Sequence, residues 1–203
     1  MKKLLITTFA AAMLAATSLF AVPQVTFQRG LGNGPGGEFI ATITDGPTTL
    51  LQFKTFCLEL NEGIVFGTPY YFTVDWVAIN GGVGGGSPDW VSQGTVWLYL
   101  NATYTTAADA DLLQDAIWRL EDEKSGPGIG GHYYSDAMTY GGGKADYTTQ
   151  PPEVMVLNPY LIDPQTGERL QKQSVLIPVP DGGFTVALLG LGLSGLALLR
   201  RKH

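Results

Sequence analysis

Two uncharged apolar stretches bracket this chain and leave only its middle to form a water-exposed fold. Near the C-terminus, Phe184–Leu199 runs for sixteen residues without a charge and is followed at once by Arg200-Arg201-Lys202-His203. An α-helix of that length is about 24 Å long, shorter than the roughly 30 Å hydrocarbon layer of a bilayer. The stretch predicts a short transmembrane helix whose basic tail holds that end on the cytoplasmic side. At the other end, Lys2 and Lys3 precede the apolar run Leu4–Phe20, and Ala21 supplies a small residue for cleavage. Residues 1–21 therefore read as a secretory signal peptide, the substrate of a signal peptidase. Residues 22–178 are expected outside the cytoplasm, whether the C-terminal span is cut or kept as an anchor.

The charge of that middle part excludes one class of partner. Val22–Pro178 carries 17 acidic and 7 basic residues, a net −10. No basic stripe is available to neutralise phosphates, so nucleic acid is not an expected partner. One cysteine, Cys57, excludes an intramolecular disulfide and a cysteine-based metal cluster. With 27 glycines and 12 prolines, the chain is rich in turns, as β-rich folds are.

Hydrophobic periodicity sorts the middle into elements. Arg29–Gly37 is crowded with glycines around Pro35 and reads as a loop. Glu38–Thr44 and Leu50–Leu60 read as strands; in the second, Leu51, Phe53, Thr55 and Cys57 share one face by period two. Tyr70–Ile79, aromatic and β-branched, suits a third long strand. Ala107–Lys124 is helical: Leu113, Ala116, Ile117 and Leu120 form an apolar stripe, and Thr106 with Asp109 forms a capping-box-like start. Gly126 and Pro127 are the expected stop, and Trp97, Tyr99 and Leu100 suggest an earlier helical or packed segment. Gly126–Gly143 is a glycine-rich stretch, with Gly126–Gly131 and His132 read as loop. Two further β-like runs, Val154–Leu157 and Ser174–Val179, flank the turn residues Asp163-Pro164-Gln165-Thr166-Gly167. The expected class is α+β, mostly β: a β-sandwich or small barrel with a helical insertion.

The C-terminal order of Val179-Pro180-Asp181-Gly182-Gly183, apolar span and basic tail resembles the PEP-CTERM class of bacterial sorting signals, most closely its VPDSG-type variant. Gly182 stands where that variant has serine. The resemblance implies processing by an exosortase-type membrane protease, transient anchoring in the membrane, and delivery to the cell surface or extracellular matrix. The expected organisation is signal peptide 1–21, exported part 22–178, and sorting signal 179–203.

A lone cysteine in an exported chain has three explanations: it is buried and inert, it bridges to another molecule, or it is already bonded within the chain. Phe56-Cys57-Leu58-Glu59, followed far downstream by Leu113-Gln114-Asp115-Ala116-Ile117-Trp118, resembles the bacterial surface thioester domain family, whose second motif is written TQxA. In that family a cysteine thiol and a glutamine carboxamide condense into an internal thioester with loss of ammonia. The resemblance places the bond between Cys57 and Gln114; Trp118, four residues on and on the same helix face, is positioned to shield it from water. Leu113 stands where threonine is typical and removes a hydroxyl beside the reacting amide. Glu59 and Asp115 are the nearest carboxylates in sequence, and neither is assigned a role.

The function implied is single-use covalent attachment to an amine or carbohydrate on another surface, with no turnover and no cofactor. The alternative is a non-reactive β-rich matrix or carbohydrate-binding module on the same export route, with Tyr70–Trp76 as a sugar-stacking surface. A hydrolase would rest on His132 beside Tyr133 and Tyr134, or on a carboxylate pair drawn from Glu59, Glu62, Glu121 and Glu123, and no spacing singles these out.

Overall fold

The structure is a computed structural model that describes residues 22–84, 86–150 and 152–179. The expected signal peptide 1–21, the motif residues Pro180, Asp181, Gly182 and Gly183, the expected span 184–199 and the tail 200–203 lie outside the described residues.

Alternating sequence builds the first sheet. Strands β1 (Gln24–Arg29), β2 (Phe39–Asp45) and β3 (Thr48–Thr55) pair antiparallel in that order. Val25 lies opposite Ile43 and Ala41 opposite Phe53, so the apolar residues of all three strands fall on one face. Gln28, Gln52 and Lys54 alternate with them and face water. Such one-sided alternation belongs to a sheet covered on one face only.

The second sheet has a different sequence signature because both of its faces are covered. Its central strand β7 (Val154–Ile162) pairs with β4 (Tyr71–Asp75) along one edge. Two short strands, β8 (Arg169–Gln171) and β9 (Val175–Pro178), share the other edge. Leu157, Val175 and Ile177 pack with Val25, Phe27, Ala41, Ile43, Phe53 and Tyr70, forming a core between the two sheets. On the reverse face Val154, Val156 and Leu176 pack against the helices. A strand covered on both sides has no polar alternation to preserve, which accounts for the near-continuous apolar runs in β7 and β9.

Three helices lie between β6 and β7 in the chain. A two-strand ribbon, β5 (Val77–Ala78) with β6 (Asp89–Trp90), precedes α1 (Gln93–Asn101), α2 (Ala107–Leu120) and α3 (Gly131–Tyr140). Leu113, Ala116, Ile117 and Leu120 of α2 meet Val96 and Leu98 of α1 and Ala137 of α3 in the helical core. The layers are sheet, sheet, helices. Among the described residues isolated bridges, Val25–Tyr70 and Cys57–Val175, link the two sheets without continuous strand pairing, and no barrel closes, which corrects the barrel alternative. No described helix is long and apolar enough to cross a membrane.

Several boundaries differ from the sequence expectation, each for a local reason. The Leu50–Leu60 run leaves the sheet after Thr55, where the chain passes between the sheet and the helices. Phe56 points to the face opposite Cys57 and is nonetheless buried, because the helices cover that side. Tyr70–Ile79 is broken at Trp76, whose N–H is taken by the Asp75 carboxylate at 2.7 Å. Helix α2 stops at Leu120: Asp122 adopts φ 60°, and Glu123 N–H bonds back to the Trp118 carbonyl at 2.8 Å, a Schellman closure before the glycine. The stretch Gly126–Gly143 is not all loop. Its interior His132–Tyr140 is free of glycine and places Tyr133 and Ala137 one turn apart on a buried face, giving α3.

Candidate functional site

Cys57 sits where the polypeptide runs beside β9 without belonging to a strand. Leu58 N–H donates to the Ser174 carbonyl at 3.0 Å and Leu176 N–H to the Phe56 carbonyl at 3.4 Å, so Cys57 bridges Val175. In such a bridge the main-chain N–H and C=O of the central residue point to the opposite side. There they meet the Gln114 side chain. Cys57 N–H donates to Gln114 Oε1 at 3.0 Å, and Gln114 Nε2 donates to the Cys57 carbonyl at 2.8 Å. The carboxamide thus stands in for the peptide group of a neighbouring strand. Both residues are buried, Cys57 fully and Gln114 to 1% exposure.

The capping of α2 aims Gln114. Thr106 accepts from Asp109 N–H at 3.2 Å and fixes the start of the helix, and the buried stripe Leu113, Ala116, Ile117, Leu120 fixes its rotation. Gln114 and Trp118 are four apart and share the side that looks towards residue 57. Trp118, Cys57 and Phe39 form a separate apolar cluster, closed by Leu60 and Ile64. The structure therefore brings Cys57, Gln114 and Trp118 together. Among the described residues, Trp118 Nε1 is buried with no hydrogen-bond partner.

The glycine-rich segment Arg29–Gly37 covers this group. Its base is closed by Gly30 N–H to the Glu38 carbonyl at 2.9 Å and Glu38 N–H to the Leu31 carbonyl at 2.7 Å. Asp111 of α2 accepts from Asn33 N–H at 3.1 Å and Gly34 N–H at 3.3 Å, tying the tip of the loop to the helix that carries Gln114. Gly36 lies directly on the site: a β-carbon there would stand 2.5 Å from Gln114 Cγ and 2.6 Å from Trp118 Cη2. Only glycine allows that approach. Beside it a cleft of about 190 Å³, lined by the loop, Asp111, Asp115 and Lys124, reaches Gln114 and Trp118. Lys124 is paired with Asp115 at 2.7 Å and lies over the Trp118 ring at 5.5 Å.

Burial keeps the thiol and its nearest buried carboxyl group neutral. Burial pushes the Cys57 thiol well above its ordinary range, and Glu59, once ionised, pushes the same way. Glu59 is itself raised to about 9, first by burial and then by the charge of Glu62. Its Oε2 accepts from Ser174 N–H at 2.8 Å, while Oε1 has no partner among the described residues. Gln173 Nε2 donates to the Glu59 main-chain carbonyl at 2.5 Å. At neutral pH the pocket thus holds an un-ionised thiol and an un-ionised carboxylic acid.

Sequence reasoning missed Gly36, Asp111, Gln173 and Ser174 as parts of this environment, and left Glu59 without a role. Each acts through the main chain or by close approach, and no residue pattern announces that. The other candidates lie elsewhere. His132 is exposed in the first turn of α3. Tyr70 is buried with its hydroxyl accepting from Val65 N–H at 2.8 Å, so Tyr70–Trp76 does not present a row of free rings. Glu123 is committed to main-chain donors, Leu60 N–H at 2.7 Å and Val83 N–H at 2.6 Å. Glu121 accepts from the Ser92 hydroxyl at 2.8 Å under the start of α1.

A family model described as the VPDSG-CTERM motif matches residues 178–203. That similarity covers the motif beginning at Val179, the apolar span and the basic tail, and supports a PEP-CTERM-type sorting signal. It indicates an exported, envelope-associated protein processed by an exosortase. No curated protein and no solved structure matches the chain.

Proposed function

We propose that the exported chain attaches covalently to a surface partner through an internal thioester between Cys57 and Gln114, at the cell surface or in the extracellular matrix. The observation that carries this reading is the pair of hydrogen bonds, 3.0 and 2.8 Å, that holds the Gln114 carboxamide against the main chain of the sole cysteine. Holding two groups in contact in a closed site replaces a bimolecular encounter with an effective molarity far above any solution concentration.

The chemistry is a balanced exchange. Cys57 Sγ adds to Gln114 Cδ, the C–N bond breaks, and the thiol proton leaves on ammonia. Negative charge gathers on Oε1 as sulfur adds, and Cys57 N–H already donates to that oxygen. A thiol held un-ionised by burial must lose its proton as the bond forms, not before. Trp118 and the Gly36 loop keep water from the acyl carbon. An incoming amine or hydroxyl, entering by the cleft beside Lys124, takes the acyl group, releases the Cys57 thiol and ends as an amide or ester of residue 114.

A second reading is favoured by the same hydrogen bonds. Gln114 satisfies both main-chain groups of Cys57, which is reason enough for a buried glutamine in a non-reactive matrix or carbohydrate-binding module.

Peptide mapping of the full chain, alkylated at mild pH, separates the two. The thioester predicts a cross-linked peptide pair containing Cys57 and Gln114, lighter by one ammonia, and no alkylation of Cys57. Methylamine should convert it to an alkylated Cys57 and an N-methylated Gln114. Unlinked peptides, with Cys57 fully alkylated after unfolding, would falsify the covalent reading and leave the second.

A further inference from the structure

A second concavity lies away from Cys57, along α1 and beside the C-terminal end of α3. It encloses about 460 Å³, within the roughly 300–1,000 Å³ of small-molecule sites. Its walls carry the rings of Trp97, Tyr140 and Tyr147, and its rim carries Gln93, Asn101 and Glu153. We propose that this groove is a binding site for a neutral glycan chain.

The aromatic rings supply flat apolar floor. Tyr140, the last residue of α3, is 72% exposed, and its ring centroid is 6.3 Å from that of Trp97 at an interplanar angle of 35°. With the half-buried Trp97 and the exposed Leu100 beside it, Tyr140 forms a contiguous apolar surface open to a contact. The floor is built, not incidental: Gly141 follows α3 at a point where a β-carbon would stand 2.8 Å from Trp97 Cβ and 2.9 Å from the Ala137 carbonyl. Only glycine lets the helix end come down on the indole.

The polar rim is fixed in place by the protein itself. Asn101 Nδ2 donates to the Trp97 carbonyl at 2.9 Å, and Gln93 Nε2 donates to the Asp146 carbonyl at 3.1 Å. Each amide is anchored by its nitrogen, and no described residue donates to either carbonyl oxygen. Two oriented acceptors flanking aromatic faces match a pyranose, which offers C–H faces to rings and hydroxyl donors along its edges.

Charge selects within the sugars. Among the described residues Glu153 is the single charged one lining the groove, and it forms none of their ion pairs. No described lining residue is a cation that could receive a uronate, sulfate or phosphate group, and Glu153 repels them. The ligand class is therefore neutral polysaccharide, of the kind an exported, envelope-associated protein meets outside the cell.

The proposal does not depend on the thioester, and its test is run on the full-length Cys57→Ala chain so that only reversible binding is seen. The chain is held in a zwitterionic detergent without a sugar head group. Cellohexaose, xylohexaose, mannohexaose and maltohexaose are titrated calorimetrically, with polygalacturonate as the acidic counterpart. At least one neutral oligosaccharide should bind saturably, and Tyr140→Ala should weaken it about tenfold, the scale of losing one aromatic anchor. Tyr140 is exposed, so that variant should unfold at the temperature of its parent; Trp97→Phe should weaken binding less. Four results overturn the proposal: no neutral oligosaccharide binds, binding ignores Tyr140→Ala, polygalacturonate binds better, or Tyr140→Ala instead abolishes self-association and so reveals a second copy as the occupant.

Discussion

Single atoms decide the chemistry at residue 57. The Gln114 carboxamide is held at both ends by one residue's main chain, and its carbon lies between those two contacts. In the Cys57→Ala background, where no thioester can form, Gln114→Ala leaves a buried N–H and a buried C=O without partners. It should lower stability by about 3 kcal/mol, measured by urea unfolding. Gly36→Ala drives a methyl into Gln114 Cγ and Trp118 Cη2 and should cost about 1–3 kcal/mol. The loop must lift to admit it, so on the proposed thioester reading the same variant should hasten hydrolysis of that bond, read as the rate at which Cys57 becomes alkylatable. An unchanged rate would show that the loop does not guard the site. Of these residues only Cys57, Gln114 and Trp118 were legible as a motif. Gly36 reads in the sequence as one of five glycines in a loop, and nothing distinguishes the one that touches glutamine.

At the scale of elements, α2 is the lever that carries Gln114, and its ends hold it. Thr106→Ala removes the acceptor for Asp109 N–H and should cost about 1 kcal/mol in thermal or chemical unfolding without changing the fold. A loss near zero would show that the neighbouring Asp109 carboxylate caps the helix alone. The start of α2 and its apolar stripe were readable because cap and period are local signals. Its end was not: Asp122 in the left-handed region closes the helix where a glycine would have announced the stop. Helix α3 was hidden for the opposite reason, since glycines on both sides mask a short helix held by Tyr133 and Ala137 against its neighbours.

Across the whole molecule, buried carboxyl groups make stability depend on pH. Glu59 is raised to about 9 and Glu121 to about 7, in each case first by burial. Both folded values lie above the ordinary 4.5, so the folded state binds more protons than the unfolded one between them. Their contribution is fully present below about pH 4.5 and is lost as pH rises through about 7 for Glu121 and about 9 for Glu59. The unfolding temperature should therefore fall from pH 5 to pH 9. Glu121→Gln should flatten the slope only below about pH 7, whereas Glu59→Gln should flatten it across the range up to about pH 9 and is the one that acts above pH 7. A flat wild-type profile would mean that water or a counter-charge reaches these groups.

Sequence by itself determined the destination and the local pieces. The C-terminal motif with its apolar stretch and basic tail indicates export, and period two or 3.6 with turn and cap residues specifies most strands and the central helix, because these signals are carried by neighbours in the chain. Tertiary structure alone decided which side of each strand is covered, that the second sheet is covered on both, and that residues 36, 57, 114 and 118 are buried together. Those outcomes depend on contacts between segments far apart in sequence, and burial, not residue type, makes Gln114 a strand's missing neighbour and keeps the proton on Glu59.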